Sequence, residues 1–234
     1  MGRHLNKNLQ RVVAVACQPG ELVQEVVFAG GAATGLLVTD PAIADVRPTI
    51  DVDVIVEVIS HVDYFRLQER LREKGFGESM DEEIICRWKY GEILLDVMPT
   101  DERILGFSNR WYAEAFNNAQ DMVIDDMTIK LIRAPYFLGT KLEAFFSRGK
   151  ADYMASHDLE DLNTVLDGRA EIVEEVRQSQ EGIKQYLAEQ FKRLIENDEF
   201  FDALPGHLPP DEASQRRVPI VEDRMRQIAD IQEG

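Results

Sequence analysis

Cysteine is scarce. The 234-residue chain holds only Cys17 and Cys86, too few and too far apart for a disulfide framework or a zinc site, so both read as reduced structural thiols. No apolar run approaches the ~18 residues of a membrane span. The patch VVAVAC (12–17) follows basic residues, but it is short for a signal core and runs on without a small-residue cleavage site. Gly2 is present, yet Asn6 stands where a myristoylation signal needs Ser or Thr. Positive charge is the minority, with 26 Lys and Arg against 43 Asp and Glu, for a net charge of −17. Bulk attraction to nucleic acid is thereby excluded, and any such substrate has to meet a local basic patch. Much of the acidity, above all in the glutamate-rich last third, reads as solvated surface. There is no Walker sequence, no G-x-G-x-x-G and no G-x-S-x-G. The histidines (His4, His61, His157 and His207) show no metal-ligand spacing. Internal repeats and low-complexity tracts are absent too. What remains, at 44% hydrophobic residues, is a globular protein with no membrane segment, read as cytoplasmic.

The first half mixes strand and helix signals. Residues 1–16 predict a helix or extended lead-in, and 21–29 a helical turn entering a short strand, Val26–Ala29. Gly30-Gly31 breaks that strand, and a small-residue helix, Ala32 to Val38, follows. Pro41 and Pro48 punctuate a loop. Residues 50–58 predict a strand, and 61–76 a helix with Tyr64, Leu67 and Leu71 on one face and a stop at Gly75. Residues 84–100 predict a hairpin turning at Tyr90-Gly91-Glu92. A helical second half is expected from about residue 110: helices over 134–150, 156–168 with Ser156 as cap and Gly168 as exit, and one long helix over 170–196. A Pro-rich linker (204–219) then leads to a terminal helix (220–232). The fold class is α+β, a small mixed sheet followed by a helical domain, with boundaries at 1–108, 109–203 and 204–234.

The chemistry starts in the stretch RPTIDVDVIV (47–56). Asp51 and Asp53 sit two apart in a β-branched run, so on a strand both carboxylates point to one face. Two anions side by side on a half-buried surface repel and lose hydration. A cation between them resolves the conflict. Asp96 is another lone acid in an apolar strand, EILLDVMP, and three such carboxylates make an oxygen-rich cluster suited to a hard divalent ion. Carboxylates two apart on a strand can converge on metals about 3.5–4 Å apart. The plainer alternative places Asp51 and Asp53 in water with only their valine neighbours in the core. Gly30-Gly31, between a strand and a helix, reads either as an ordinary turn or as exposed amides at a positive helix end that hold phosphate oxygens. Lys141, beside Phe137, Leu138, Leu142 and Phe145, reads as a snorkelling lysine or as a point charge for phosphate. Asp158 and Asp161 are a helical turn apart; Asp158 also suits the first turn of its helix. Trp88 and Trp111 read as core or as a stacking wall for a base.

In order, these parts are strand, GG, helix, strand with D-x-D, and strand with D. They resemble the nucleotidyltransferase superfamily related to DNA polymerase β, with its hG[GS] and Dh[DE]h signatures, here FAGGAAT and TIDVDVI. The closer resemblance is to the AbiEii/AbiGii toxin-type nucleotidyltransferases, through Arg47, Thr49, Asp51 and Asp53, then Lys141 in YFLGTKLEAF, then Asp158 and Asp161 in SHDLEDL. It covers about residues 26–168. Two features depart from the family pattern: the interval from Gly31 to Asp51 is long, and Gly31 stands where many members have Ser. Thr34 is the nearest hydroxyl that could replace it.

The resemblance implies a nucleotidyltransferase core whose site the helical domain completes. Asp51 and Asp53 would hold Mg²⁺ (or Mn²⁺). Asp96 would ligate a second metal or help deprotonate the acceptor. Gly30, Gly31, Thr34, Arg47, Thr49 and Asp158 would contact nucleotide, and Lys141 and Asp161 would complete the catalytic set. The implied reaction transfers NMP from an NTP to a hydroxyl of RNA (a tRNA end) or protein, with release of pyrophosphate. A toxin role with an antitoxin partner goes with the family. A small-molecule acceptor of the aminoglycoside type, a non-catalytic nucleotide-binding or interaction module, and a D-x-D hydrolase or glycosyltransferase are the alternatives.

Overall fold

A computed structural model describes residues 7–17, 20–43, 46–79, 86–147 and 152–231. The described residues form two compact units. One holds those up to Gly35 together with Pro48–Arg133; the other holds Leu36–Arg47 and those from Ala134 onward.

The first unit is built on one seven-stranded sheet. Its elements are α1 (Lys7–Cys17), a 3₁₀ turn (Gly20–Glu25), β1 (Val26–Ala29), α2 (Gly30–Leu37, in this unit to Gly35), β2 (Asp51–Val56), α3 (His61–Glu73), β3 (Gly77–Glu78), β4 (Arg87–Tyr90), β5 (Ile93–Pro99), α4 (Glu102–Leu105), α5 (Tyr112–Asn117), β6 (Gln120–Ile124) and β7 (Met127–Leu131). The strand order is β3-β4-β5-β2-β1-β7-β6. β2 runs antiparallel to β1 and parallel to β5, and β1 runs parallel to β7, so the sheet is mixed. One face is apolar: Phe28, Val54, Val56, Leu95 and Val97 meet Val15, Leu22, Leu67 and Leu71 from α1, the 3₁₀ turn and α3. Alternation along β2 and β5 turns Asp51, Asp53 and Asp96 to the other face. The expected α+β class is what forms.

Two local readings hold and a third shifts. α3 starts at Ser60, whose hydroxyl accepts from the Asp63 amide at 3.2 Å. The β4–β5 hairpin turns through Gly91, at φ +58°, and pairs Tyr90 with Ile93. The start of the expected hairpin, 84–85, lies outside the described residues. α2 begins at Gly30 itself, two residues earlier than expected.

The stretch from residue 110 departs from the helical reading. Only α5 forms there before the β6–β7 hairpin. Its turn is Asp125-Asp126, with Asp125 at φ +52°, a backbone region that short polar side chains tolerate. β6 is an edge strand with exposed Asp121 and Val123. Its apolar alternation is therefore weak, which hid it in the sequence.

The second unit is helical after Leu36–Arg47: α6 (Ala134–Ser147), α7 (His157–Gly168), α8 (Ile172–Arg177), α9 (Glu181–Ile195), α10 (Asp198–Ala203), a 3₁₀ turn (Leu204–His207), α11 (Glu212–Gln215) and α12 (Val218–Ala229). The sequence reading of 134–150 as helix holds up to Ser147; Gly149 is outside the described residues. α6 is buried from Ala134 to Leu142 and packs against α7 and α9. Ser156 caps α7, accepting from the Leu159 amide at 3.3 Å. At its other end, Gly168 accepts from the Thr39 and Asp40 amides, both at 2.9 Å. A Cβ there would fall 2.8 Å from Val38 Cγ1, so this exit demands glycine.

Two expectations are corrected. Residues 170–196 are two helices, broken between Arg177 and Glu181, not one. The 204–219 segment is packed structure rather than a linker: Leu204, His207 and Leu208 are buried, and Gln215 Nε2 donates to the Pro205 and Pro209 carbonyls at 2.9 and 3.0 Å. Proline content alone misled, because proline fits the first turn of short helices as readily as a linker.

His207 reports on that packing. Its Nε2 donates to the Tyr153 carbonyl at 2.7 Å, and burial pushes its pKa below the ordinary 6.5. The unfolded chain then binds the extra proton first. Stability is expected to fall as pH drops below about 6.5 and to go on falling to the lower folded pKa. His207→Gln keeps a donor but does not titrate. It is expected to lose less stability than wild type between pH 7 and pH 5, measured by urea unfolding.

Candidate active site

The acidic face is assembled by strand register. β2 and β5 place Asp53 directly opposite Asp96, and β4 places Arg87 opposite Asp96 on the other side. Arg87, Asp96 and Asp53 thus form one rung across three strands, with Asp51 two residues back along β2. A positive side chain also reaches this face. The Arg87 guanidinium grips Asp96 through two bonds, Nε to Oδ1 and Nη2 to Oδ2, both at 2.7 Å. Nη2 also reaches Asp51 Oδ2 at 3.1 Å. Arg87 and Asp96 are 9% and 7% exposed, so this is a buried bidentate pair. The sequence reading missed Arg87. The signal was available: a turn closing Tyr90 onto Ile93 fixes 87 opposite 96.

Asp51 is aimed by its neighbours. The Thr49 hydroxyl donates to its Oδ1. Thr49 is itself held by its amide, which donates to Oδ1 of buried Asn8 at 2.9 Å. Asn8, on α1, is a further supporting residue that no motif marked. Asp53 lies against the glycine corner. β1 pairs Ala29 with Asp53, and the chain enters α2 at the next residue, Gly30, with φ +60°. A Cβ on Gly30 would fall 1.8 Å from Asp53 Oδ2. The first amides of an eight-residue helix, unpaired within it, therefore start beside a carboxylate. Gly31 is buried behind that corner. Thr34 is fully buried, and its hydroxyl has no hydrogen-bond partner among the described residues; it sits inside the unit rather than at the helix start.

The field on this face is negative. Burial, then the charges of Asp96 and Asp53, push the Cys86 thiol up to about 12, so it stays neutral. Among the described residues, no three His, Cys, Asp or Glu side chains are gathered as a ready metal-ligand set. Arg87 holds both oxygens of Asp96. Asp51 and Asp53 share the face, with Asp51 also bonded to Arg87 and Thr49. A pair fits Mg²⁺, which usually takes one or two carboxylates and fills its sphere with water and substrate phosphate. The Cβ position of Gly30 is filled by the Asp53 carboxylate, and the helix start lies against it.

The other predicted residues form their own cluster in the helical unit. Lys141 Nζ lies 2.6 Å from Asp161 Oδ2 and 3.3 Å from Asp158 Oδ1. Arg47 Nη2 lies 3.4 Å from both Asp161 oxygens, and its Nε is 3.2 Å from Glu160. Asp161 is 1% exposed and takes both cations. Lys141 is buried too, so it does not snorkel to water. Trp88 and Trp111 are core residues, with the Arg72 guanidinium 5.5 Å from the Trp88 ring centroid.

Two substitutions test this geometry. Gly30→Ala meets both a left-handed backbone and the Asp53 carboxylate, and is expected to cost at least about 1–2 kcal/mol in chemical denaturation. Lys141→Met leaves the buried Asp161 with Arg47 alone, and is expected to cost about 3 kcal/mol by the same measurement.

No protein-family model matches the chain, and no curated protein matches it. Among solved structures, an antigenic nucleotidyltransferase-like protein from Paracoccidioides brasiliensis is similar, with a TM-score of 0.54 at 19% identity, over 86% of this chain and 94% of that one. JHP933 from Helicobacter pylori gives 0.49 at 12% identity, over 95% and 92%. The antibiotic-resistance factor ANT(2'')-Ia gives 0.47 at 14%, over 84% and 97%. The last two scores are too low to carry weight. The first shows the fold alone: this chain has the architecture of a nucleotidyltransferase-like protein.

Proposed function

We propose that the chain is a Mg²⁺-dependent nucleotidyltransferase that moves NMP from an NTP to a hydroxyl acceptor and releases pyrophosphate. The observation that carries the reading is the corner where the Asp53 carboxylate packs onto Gly30 at the start of α2, with Asp51 on the same face. Helix-start amides favour phosphate oxygens, and paired carboxylates favour the cation that accompanies a triphosphate. Either feature alone is common. Their contact within one sheet corner is what phosphoryl-type transfer needs, because that chemistry is mostly positioning and charge neutralisation.

The residues take the following parts. Gly30 and Gly31 amides bind phosphate oxygens. Asp51 and Asp53 would hold the cation, and the Thr49 hydroxyl fixes the direction of Asp51. A bound Mg²⁺ or Mn²⁺ supplies charge neutralisation of the triphosphate. The acceptor hydroxyl attacks the α-phosphorus, and the bond to the pyrophosphate oxygen breaks. Lys141, held by Asp161 and Asp158, is the phosphate-directed point charge that the family resemblance assigns, and Arg47 shares its anchor at Asp161. An RNA end or a protein hydroxyl is the acceptor in this reading, and a toxin acting with an antitoxin is its biological setting. With a net charge of −17, a small polar acceptor competes with a long RNA.

Pyrophosphate release from each of the four NTPs, measured with Mg²⁺ and a cellular acceptor pool, is the direct test. Asp53→Ala is expected to abolish release, with at least about a hundredfold loss, and to remove Mg²⁺-dependent NTP binding while the melting transition persists. Unchanged NTP binding in that variant overturns the assignment. Binding without release from any NTP would instead favour a nucleotide-binding module on this scaffold.

A further inference from the structure

The helical unit holds a cavity of about 310 Å³, and none of its lining residues is among those that the proposed reaction uses. It forms where residues 42–43 meet α7, the 3₁₀ turn after α10 and the stretch running through α11 to the start of α12. Its rim is exposed at Pro209, Asp211 and Ala213, while His207, Leu208 and Asp167 line it and are buried. His207 is the informative group. A carbonyl can only accept, so the 2.7 Å bond from Nε2 to the Tyr153 carbonyl puts the ring proton on Nε2. Nδ1 is then a bare acceptor, and it has no hydrogen-bond partner among the described residues. Burial keeps the imidazole neutral near pH 7, so that nitrogen retains its lone pair. At 7% exposure, an acceptor without a donor is unfavourable.

We propose that this cavity binds a small organic ammonium ion, whose N–H donates to His207 Nδ1 and whose hydrocarbon body lies against Leu208 and Ile43. The other polar groups of the wall ask for a donor as well. The Thr164 hydroxyl gives its proton to the Glu160 carbonyl at 2.9 Å, and the Ser214 hydroxyl gives its own to Asp211 Oδ2 at 2.7 Å, so each presents lone pairs. Arg217 is held between carboxylates, with Nε 2.7 Å from Asp167 Oδ1 and Nη2 2.8 Å from Asp40 Oδ2. The lining carries two carboxylates, Asp167 and Asp211, against the one guanidinium, a balance that favours a cation and repels an anion. A metal ion fits less well, since no three His, Cys, Asp or Glu side chains gather as a ligand set among the described residues. Ligand pockets run from about 300 to 1,000 Å³, mostly apolar with a few placed polar groups. This one stands at the small end of that range, which limits the body to a short chain or a single ring.

NMR of the full chain carrying ¹⁵N-labelled histidine, titrated with butylammonium chloride at a constant pH above 7, tests this. The chain has four histidines, and the His207 signals are assigned by their loss in His207→Gln. Wild type is expected to show the His207 Nδ1 resonance moving upfield as it accepts a hydrogen bond, with Nε2 nearly still. Butyrate and n-butanol, of the same chain length, are expected to bind more weakly by about tenfold or more. Asp167→Asn is expected to weaken butylammonium binding by about tenfold. Asp211→Asn keeps a capping side chain at the start of α11 and leaves the core intact. It is expected to weaken binding by about twofold to threefold, and it decides the matter if Asp167→Asn does not fold. A His207 Nδ1 resonance that stays still throughout the titration overturns the proposal. So does butyrate or n-butanol binding as tightly as butylammonium, or unchanged affinity in every carboxylate variant that folds. None of these outcomes bears on the reading built on Asp51 and Asp53.

Discussion

A carboxylate on a β-strand has no freedom to leave its face, and three of them on adjoining strands cannot drift apart to relieve repulsion. The Arg87 guanidinium is what makes that arrangement tolerable in this sheet. It binds Asp96 through both oxygens and reaches Asp51 as well. Because Arg87 and Asp96 are both buried, water cannot do the same work. The sheet can therefore put apolar residues on its helix-covered face and acids on the other without unfolding the acidic side. An ion pair of this kind adds little net stability over an apolar pair of the same shape. Its value is in fixing the direction of the carboxylates it holds.

Asp53 lies at a corner with no spare volume. β1 passes straight into α2, and the first residue of the helix touches the Asp53 carboxylate so closely that any side chain would collide with it. Glycine is required there twice over, by a positive φ and by contact. The helix N-terminus consequently begins beside the Asp53 carboxylate. Thr49 and Asn8 add a chain of hydrogen bonds that fixes Asp51 from behind. The function proposed for this face depends on such fixed groups, since transfer of a nucleotidyl group gains most from positioning.

The helical unit solves a similar problem by other means. Asp161 is almost fully buried and accepts from both Lys141 and Arg47, while Asp158 and Glu160 take up their remaining charge. Nearby on the same helix, Asp167 is pushed up by burial and held by Arg217, which also pairs with Asp40. Each buried acid thus has a named cation, and each pair ties α7 to another segment of its unit. The proline-containing segment after α10 joins this packing through Leu204, His207 and Leu208.

Local chemistry determined much of this from the sequence alone. The two-residue spacing of Asp51 and Asp53 put them on one face, Gly30-Gly31 marked the strand-to-helix corner, Ser156 and Gly168 marked the ends of a helix, and Tyr90-Gly91-Glu92 marked a hairpin. Each of these depends on contacts within a few residues, which composition and spacing encode. The sequence also placed Lys141, Asp158 and Asp161 on helices, but not the fact that Asp161 binds Lys141 and Arg47 together. The β6–β7 hairpin escaped notice because an edge strand needs little apolar alternation, and the 204–219 segment escaped because burial by distant helices leaves no local trace. Only the tertiary structure decided that a guanidinium, from Arg87, meets the strand carboxylates. Which charges meet across a sheet is set by register between strands, and register is a property of the assembled fold rather than of any one segment.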